Sequence, residues 1–262
     1  MSIRDLNRLD TLPEEEEEDY YYDMHPTKED LMGESVAQQD LMSHLISLLK
    51  ELYHIEGWFV SGNLNIYRTA DKKEYPLAPD VALFKGVVLS RATRVPLRSW
   101  KMVLPERPAP TVVFEICSKE TWKDDLKKKP EKYRQMGVKE YYAYDPNMPQ
   151  YWSDRPNRLR GWHYQAGELI ELKLDERGWL WSNELDSWLV PDGEFLQLYD
   201  RAGRRRLTLT EAERAAKEAA LMSGAAERAA KEAALMSGAA ERAAKEKAWA
   251  KLRELNIDPE KL

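Results

Sequence analysis

Cysteine is nearly absent. Cys117 is the only one in 262 residues, which excludes an internal disulfide framework and a cysteine-rich zinc site. A reducing, cytoplasmic setting follows naturally from that usage. Histidine is scarce too, and His25, His44, His54 and His163 stand at no metal-ligand spacing. Nowhere do about 18 apolar residues run together, so no membrane span is expected. The N-terminus lacks the basic-then-apolar form of a secretory leader. No G-x-S-x-G surrounds Ser118, no histidine partner for Cys117 is evident, and no glycine-rich phosphate loop occurs. Acyl-transfer and nucleotide-switch chemistries therefore have nothing to stand on.

Basic excess is also missing. The net charge is −6, but it is unevenly placed. Residues 1–23 carry two basic and nine acidic residues, and from Met24 onward 38 basic residues meet 37 acidic ones. The body is near neutral, so it does not coat nucleic acid by bulk electrostatics. Lys127–Lys129 and Arg204–Arg206 are the candidate basic runs, although each alone reads as a solvated face or turn.

What is present is organised in three parts. Residues 1–23 form an acidic arm in which Glu14–Glu18 repel one another, with Tyr20–Tyr22 as its docking point. Residues 24–206 hold the folded body. Residues 207–262 form a helical tail. Within the body, residues 29–53 read as a helix, with Leu41, Leu45, Leu48, Leu49 and Leu52 at helical spacing and Gly57 just past its end. Residues 58–67 read as a strand and 79–84 as a second one opened by Pro79. Residues 111–117 make a third, apolar throughout except for Glu115, as in a strand buried on both faces. A helix follows and ends at Gly137; Pro130 makes it restart near Lys129 or bend there. Residues 139–144 close this series as a strand. Residues 160–199 read as short antiparallel strands turning at Ala166-Gly167 and Arg177-Gly178. The tail repeats itself: Glu213–Ala226 recurs unchanged as Glu227–Ala240. Fourteen residues are two heptads, so a small apolar seam through Met222, Ala226, Ala229, Ala233 and Met236 keeps coiled-coil phase. That seam suits either a homodimer, weak because alanine buries little area, or, equally, a long solvated helix without a partner.

Two acids sit awkwardly. Glu115 lies inside an apolar strand, where an unpaired charge is costly. Asp80 opens another strand. A helix later, Asp125, Lys129 and Tyr133 recur every four residues, on one helical face. Singly, each has an ordinary explanation: a turn residue, a paired buried acid, a surface lysine. Together they supply what a magnesium or manganese site needs: carboxylate oxygens for a hard cation, and positive charge where a phosphoryl transition state develops charge. Glu34, early in the first helix, is a further carboxylate, also suited to the helix dipole.

Val60-Ser61-Gly62-Asn63-Leu64-Asn65-Ile66-Tyr67, Ala78-Pro79-Asp80-Val81, Glu115-Ile116-Cys117-Ser118, the Asp125/Lys129/Tyr133 series, Gly137-Val138-Lys139-Glu140-Tyr141 and Asp145-Pro146 occur in that order. In this they resemble the bacterial Uma-two type restriction endonucleases of the PD-(D/E)XK nuclease superfamily, over roughly residues 20–200. The resemblance implies an α/β, restriction-endonuclease-like core (αβββαβ) with an antiparallel extension and a long C-terminal helix. It implies a Mg2+- or Mn2+-dependent endonuclease acting on DNA, with Asp80 and Glu115 binding metal and Lys129 stabilising the transition state. Glu34 is the accessory acid and Tyr133 the positioning residue. One departure stands out. The superfamily usually sets its lysine two residues after the glutamate, and here that position is Cys117; Lys129 of the next helix is the replacement the family pattern implies. The other reading is a nuclease fold that has lost catalysis and serves binding.

Overall fold

The computed structural model describes residues 19–25, 35–53, 56–104, 106–147, 151–152 and 157–254. The chain divides into two compact units, Met1–Thr208 and Leu209–Leu262.

The first unit begins with a short turn of helix, α1 (Tyr21–Met24), and a long helix, α2 (Val36–Tyr53). Ser35 starts α2 through a reciprocal cap. Its Oγ accepts from the Gln38 amide at 3.3 Å, and its own amide donates to Gln38 Oε1 at 3.0 Å. The stretch 29–34, expected to be helical, lies outside the described residues, and Glu34 with it. Gly57 takes φ +66 beyond the helix end, as a stop requires.

The strands are β1 (Phe59–Ser61), β2 (Asn65–Tyr67), β3 (Val81–Phe84), β4 (Ser99–Lys101), β5 (Val112–Ile116), β6 (Glu140–Tyr144), β7 (Leu159–Gln165) and β8 (Glu168–Glu171), with one helical turn, α3 (Arg91–Arg94), before β4. The expected single strand over 58–67 is therefore two. Asn63 adopts φ +49, and β2 leaves the main sheet to pair in parallel with β4. The main sheet runs β1-β3-β5-β6-β7-β8, with β5 and β6 parallel and the other pairs antiparallel. Helices α4 (Trp122–Lys127) and α5 (Lys129–Met136) connect β5 to β6. The break between them decides the Pro130 question in favour of a restart, with proline in the first turn, where its missing N–H costs nothing. Gly137 closes α5 at φ +92. The fold is thus mixed α/β; counting only strands of the main sheet, α2 is followed by β1, β3 and β5, then by the α4–α5 pair and β6, with β2, α3 and β4 inserted between.

Period-2 alternation sends β5 side chains to two faces. Val112, Phe114 and Ile116 pack with Leu41, Leu45, Leu48 and Leu49 of α2. Val113 and Cys117 pack with Tyr133 and Met136 of α5 and with Trp100 and Trp152. Each leucine so buried contributes about 1.5–3 kcal/mol. A separate antiparallel sheet of β9 (Leu180–Ser182), β10 (Ser187–Asp192) and β11 (Phe195–Tyr199) adds its Leu189, Leu196 and Leu198 to the α2 side. This extension and the β7–β8 hairpin, which turns at Ala166-Gly167, occupy the region expected to be antiparallel.

The first turn is held to the body by Asp23, which accepts from Asn65, Tyr67 and Ser99 side chains at 3.2, 2.9 and 2.9 Å. Buried Tyr20 donates to the Thr69 carbonyl at 3.0 Å. Asp19 pairs with Arg98 at 3.2 Å; the arm before it lies outside the described residues.

In the second unit the described residues form one helix, α6 (Leu209–Glu254), with no buried side chain. Leu221, Met222, Leu235 and Met236 are all more than 60% exposed along it. Among the described residues no helix is long and apolar enough to cross a membrane.

Candidate active site

Residue pairing across β3 and β5 generates the site. Val81 faces Phe114 and Ala82 faces Val113. Asp80 lies one residue before β3, and extending that register by one step would set it opposite Glu115. Like charges directly opposite on neighbouring strands destabilise a sheet, so this pairing needs compensation. Asp80 receives part of it from the backbone, its Oδ2 accepting from the Ile116 amide at 2.5 Å. Glu115 is buried, and both its oxygens are engaged. Oε1 accepts from the Tyr133 hydroxyl at 2.6 Å, and Oε2 lies 2.9 Å from Lys129 Nζ.

Lys129 comes from the restarted helix. Its ammonium also lies 2.8 Å from Asp125 Oδ1, as an ion contact that falls outside hydrogen-bond angles. Asp125 is itself fixed. Its Oδ2 accepts from the Thr121 hydroxyl at 2.8 Å, and its carbonyl accepts from the Tyr141 hydroxyl at 2.7 Å. The four-residue spacing survives the helix break, because Lys129 opens the second helix one turn above Asp125. Lys129 is therefore no surface lysine; 23% of its side chain is exposed.

Burial raises the Asp80 carboxyl well above the usual carboxylate range, and the Glu115 charge raises it further. Burial likewise raises Glu115, opposed by the Lys129 ammonium. For Lys129 burial acts downward, but Glu115, Asp125 and Asp80 outweigh it and hold the ammonium above its ordinary value. The Cys117 thiol is fully buried and is pushed far up by burial, then by Asp125 and Asp145. Both effects favour the neutral thiol.

Asp80 opens onto a cavity of about 10 Å3 lined with Gln38, Met42 and Ile116, close to the space one water needs. Gln38 reaches across from α2 and donates to the Ile116 carbonyl at 3.4 Å. The structure thus brings Glu115, Lys129, Tyr133 and Asp125 into contact, while Asp80 is bound to the next backbone amide, that of Ile116, and feels the Glu115 and Lys129 charges. Asp125 was marked by spacing, but its anchoring of Lys129 was not foreseen. Gln38 was missed; its only sequence signal is the Ser-x-x-Gln cap.

The basic runs do other work. Lys128 pairs with Asp124 at 2.9 Å, Arg204 with Asp200 at 2.8 Å, and Arg206 donates to the Asp186 carbonyl at 3.1 Å.

Among the described residues no group of three His, Cys, Asp or Glu side chains is arranged to hold an ion. Two carboxylates suffice for a hard cation that keeps water and substrate phosphate as its other ligands. The donor set here is all oxygen, and the mutual repulsion of Asp80 and Glu115 is what a cation relieves. The residues fit such an ion.

The Uma2 family profile, described as "Putative restriction endonuclease", matches residues 7–185. The chain belongs to this family. No curated protein matches it in sequence. A crystal structure described as "a putative nuclease belonging to DUF820" from Anabaena variabilis aligns with it at a TM-score of 0.41 and 12% identity, over 59% of this chain and 75% of that one.

Proposed function

We propose that this Uma2 protein is a Mg2+- or Mn2+-dependent endonuclease that hydrolyses phosphodiester bonds in DNA. The observation that carries the reading is the convergence of Lys129, from the helix after β5, on the Glu115 carboxylate across from Asp80.

Asp80 and Glu115 would hold the cation, which supplies charge neutralisation at the phosphate and an acidified water when bound. In the hydrolysis a water oxygen forms a bond to phosphorus, one ester P–O bond breaks, the water loses a proton and the leaving oxygen gains one. Lys129 presents an ammonium to the phosphoryl oxygens, where negative charge grows. Asp125, pinned by Thr121 and Tyr141, keeps that ammonium in place when Glu115 turns to other partners. Tyr133 fixes the Glu115 rotamer. Buried tyrosines and Cys117 keep the floor dry, which strengthens each of these interactions.

Conversion of supercoiled plasmid to nicked circles in Mg2+ or Mn2+ tests the reading. The wild type nicks and Asp80→Asn does not; equal activity in the two refutes it. We also propose that α6 self-associates through its repeated seam. Its support is the row of exposed apolar side chains at Met222 and Met236, two heptads apart.

A further inference from the structure

Helix α2 carries one row of side chains at four-residue spacing: Gln38, Met42, Ile46 and Lys50. The row spans ~18 Å at the α-helical rise. Its first member lines the small cavity beside Asp80. Its second, Met42, lines that cavity and a larger neighbour of about 270 Å3. The larger one is walled by Met42, Ile46, Phe59 and Leu97, and its charged lining residues are Lys50 and Arg94. Among the described residues no carboxylate lines it.

Two cations on one cavity of mixed polar and apolar lining, with no acid among its described lining residues, are an unusual arrangement. Several other cations of this body have acid partners: Lys85 with Glu184, Arg160 with Glu171, Arg177 with Asp175. At Lys50 the balance runs the other way. Partial desolvation of this surface lysine, then the Arg94 guanidinium, hold its ammonium below the ordinary lysine value. An anion seated between the two relieves both terms. An ammonium and a guanidinium together are the usual hold on a phosphate. The cavity lies just under the ~300 Å3 where small-molecule pockets begin, which limits it to one flat group.

We propose that this cavity takes one unstacked nucleotide of the strand being cut, with Lys50 and Arg94 on its phosphate and the apolar wall around its base. The identity of the strand rests on the nuclease reading; the anion-and-base chemistry of the cavity does not. Because a base inside a duplex cannot enter such a cavity without leaving its stack, single strands bind here better than intact duplex.

The test uses full-length Asp80→Asn protein without metal, so that nothing is cut, and a fluorescent single-stranded oligonucleotide read by anisotropy. Adding Lys50→Gln and Arg94→Gln together is expected to weaken binding about tenfold or more. It is also expected to flatten the slope of log affinity against log salt by about 1.4, two contacts at ~0.7 each on a single strand. Both side chains are exposed, so an unchanged melting temperature is expected and checks the fold. A parallel duplex of the same sequence binds more weakly. Equal affinity and equal slope with and without the two substitutions, or no binding by either protein, overturn the inference. If binding depends on Lys50 and Arg94 but the wild type never nicks plasmid, the nuclease reading falls alone. If nicking is intact while the two substitutions change nothing, this inference falls alone.

Discussion

At the scale of residues, the site is a small charge balance with one cation among three acids. Lys129→Gln removes the cation and leaves Glu115 and Asp125 buried against each other. A cleavage loss of ~100–1,000-fold is expected for a lost transition-state donor. A stability loss of about 3 kcal/mol or more is expected from breaking a buried pair; nicking assays and denaturant melts read the two. Asp80→Asn acts oppositely on stability. Its folded carboxyl titrates above its unfolded value, so between the two the folded protein holds the extra proton. Stability from this group is complete below about pH 4 and falls as pH rises through the raised folded value. In metal-free protein near neutral pH the asparagine variant therefore melts higher, by ~2–4 °C for each kcal/mol relieved. It no longer gains stability when Mg2+ is added. A melting temperature below the wild type's in metal-free buffer would contradict this account of Asp80. The same linkage makes metal binding release protons and tighten with rising pH, which calorimetry in buffers of different ionisation enthalpy would read.

At the scale of elements, the acids are placed by backbone more than by their own side chains. Gly62 is the tight point between β1 and β2. A Cβ there would meet Ile46 Cδ1 at 2.6 Å and the Asp80 carbonyl at 3.1 Å. Gly62→Ala is expected to cost ~1–3 kcal/mol from overpacking and to lower cleavage by displacing Asp80, with melting and nicking assays as the checks. The sequence made much of this level legible. The apolar run at 111–117, interrupted only by Glu115, marked a strand buried on both faces, 139–144 marked the next strand, and Gly137 marked the helix end. Four-residue spacing marked Asp125, Lys129 and Tyr133. The break at Asn63 was not legible, because WFVSGNLNIY alternates well enough for one strand and only the pairing of β2 with β4 splits it. Gln38 was not legible either, since its tie to the Ile116 carbonyl joins positions 78 residues apart. The Lys127–Lys129 and Arg204–Arg206 runs looked alike in sequence, yet Lys129 turns inward and the arginines close turns with Asp200 and Asp186.

At the scale of the whole molecule, a near-neutral body and a long bare helix make different demands. The body lacks the bulk positive charge that holds DNA unaided, so affinity must come from local contacts and the site itself. Weak binding at physiological salt is the expected result. The helix, with Met222 and Met236 exposed two heptads apart, gives a testable account of assembly. Removing residues 207–262 is expected to lower the mass per particle from dimer to monomer in light scattering, and an unchanged ratio would end that proposal. The centre of the account remains the convergence of Asp80, Glu115 and Lys129. Its most direct measurement is a crystal of Asp125-intact, full-length protein grown with Mn2+ and an uncleavable phosphorothioate oligonucleotide, read by anomalous scattering. The account predicts a peak within coordination distance of both Asp80 and Glu115 oxygens, with Lys129 Nζ on the phosphate. A peak elsewhere, or Lys129 left on Glu115 with no ion beside Asp80, would contradict it.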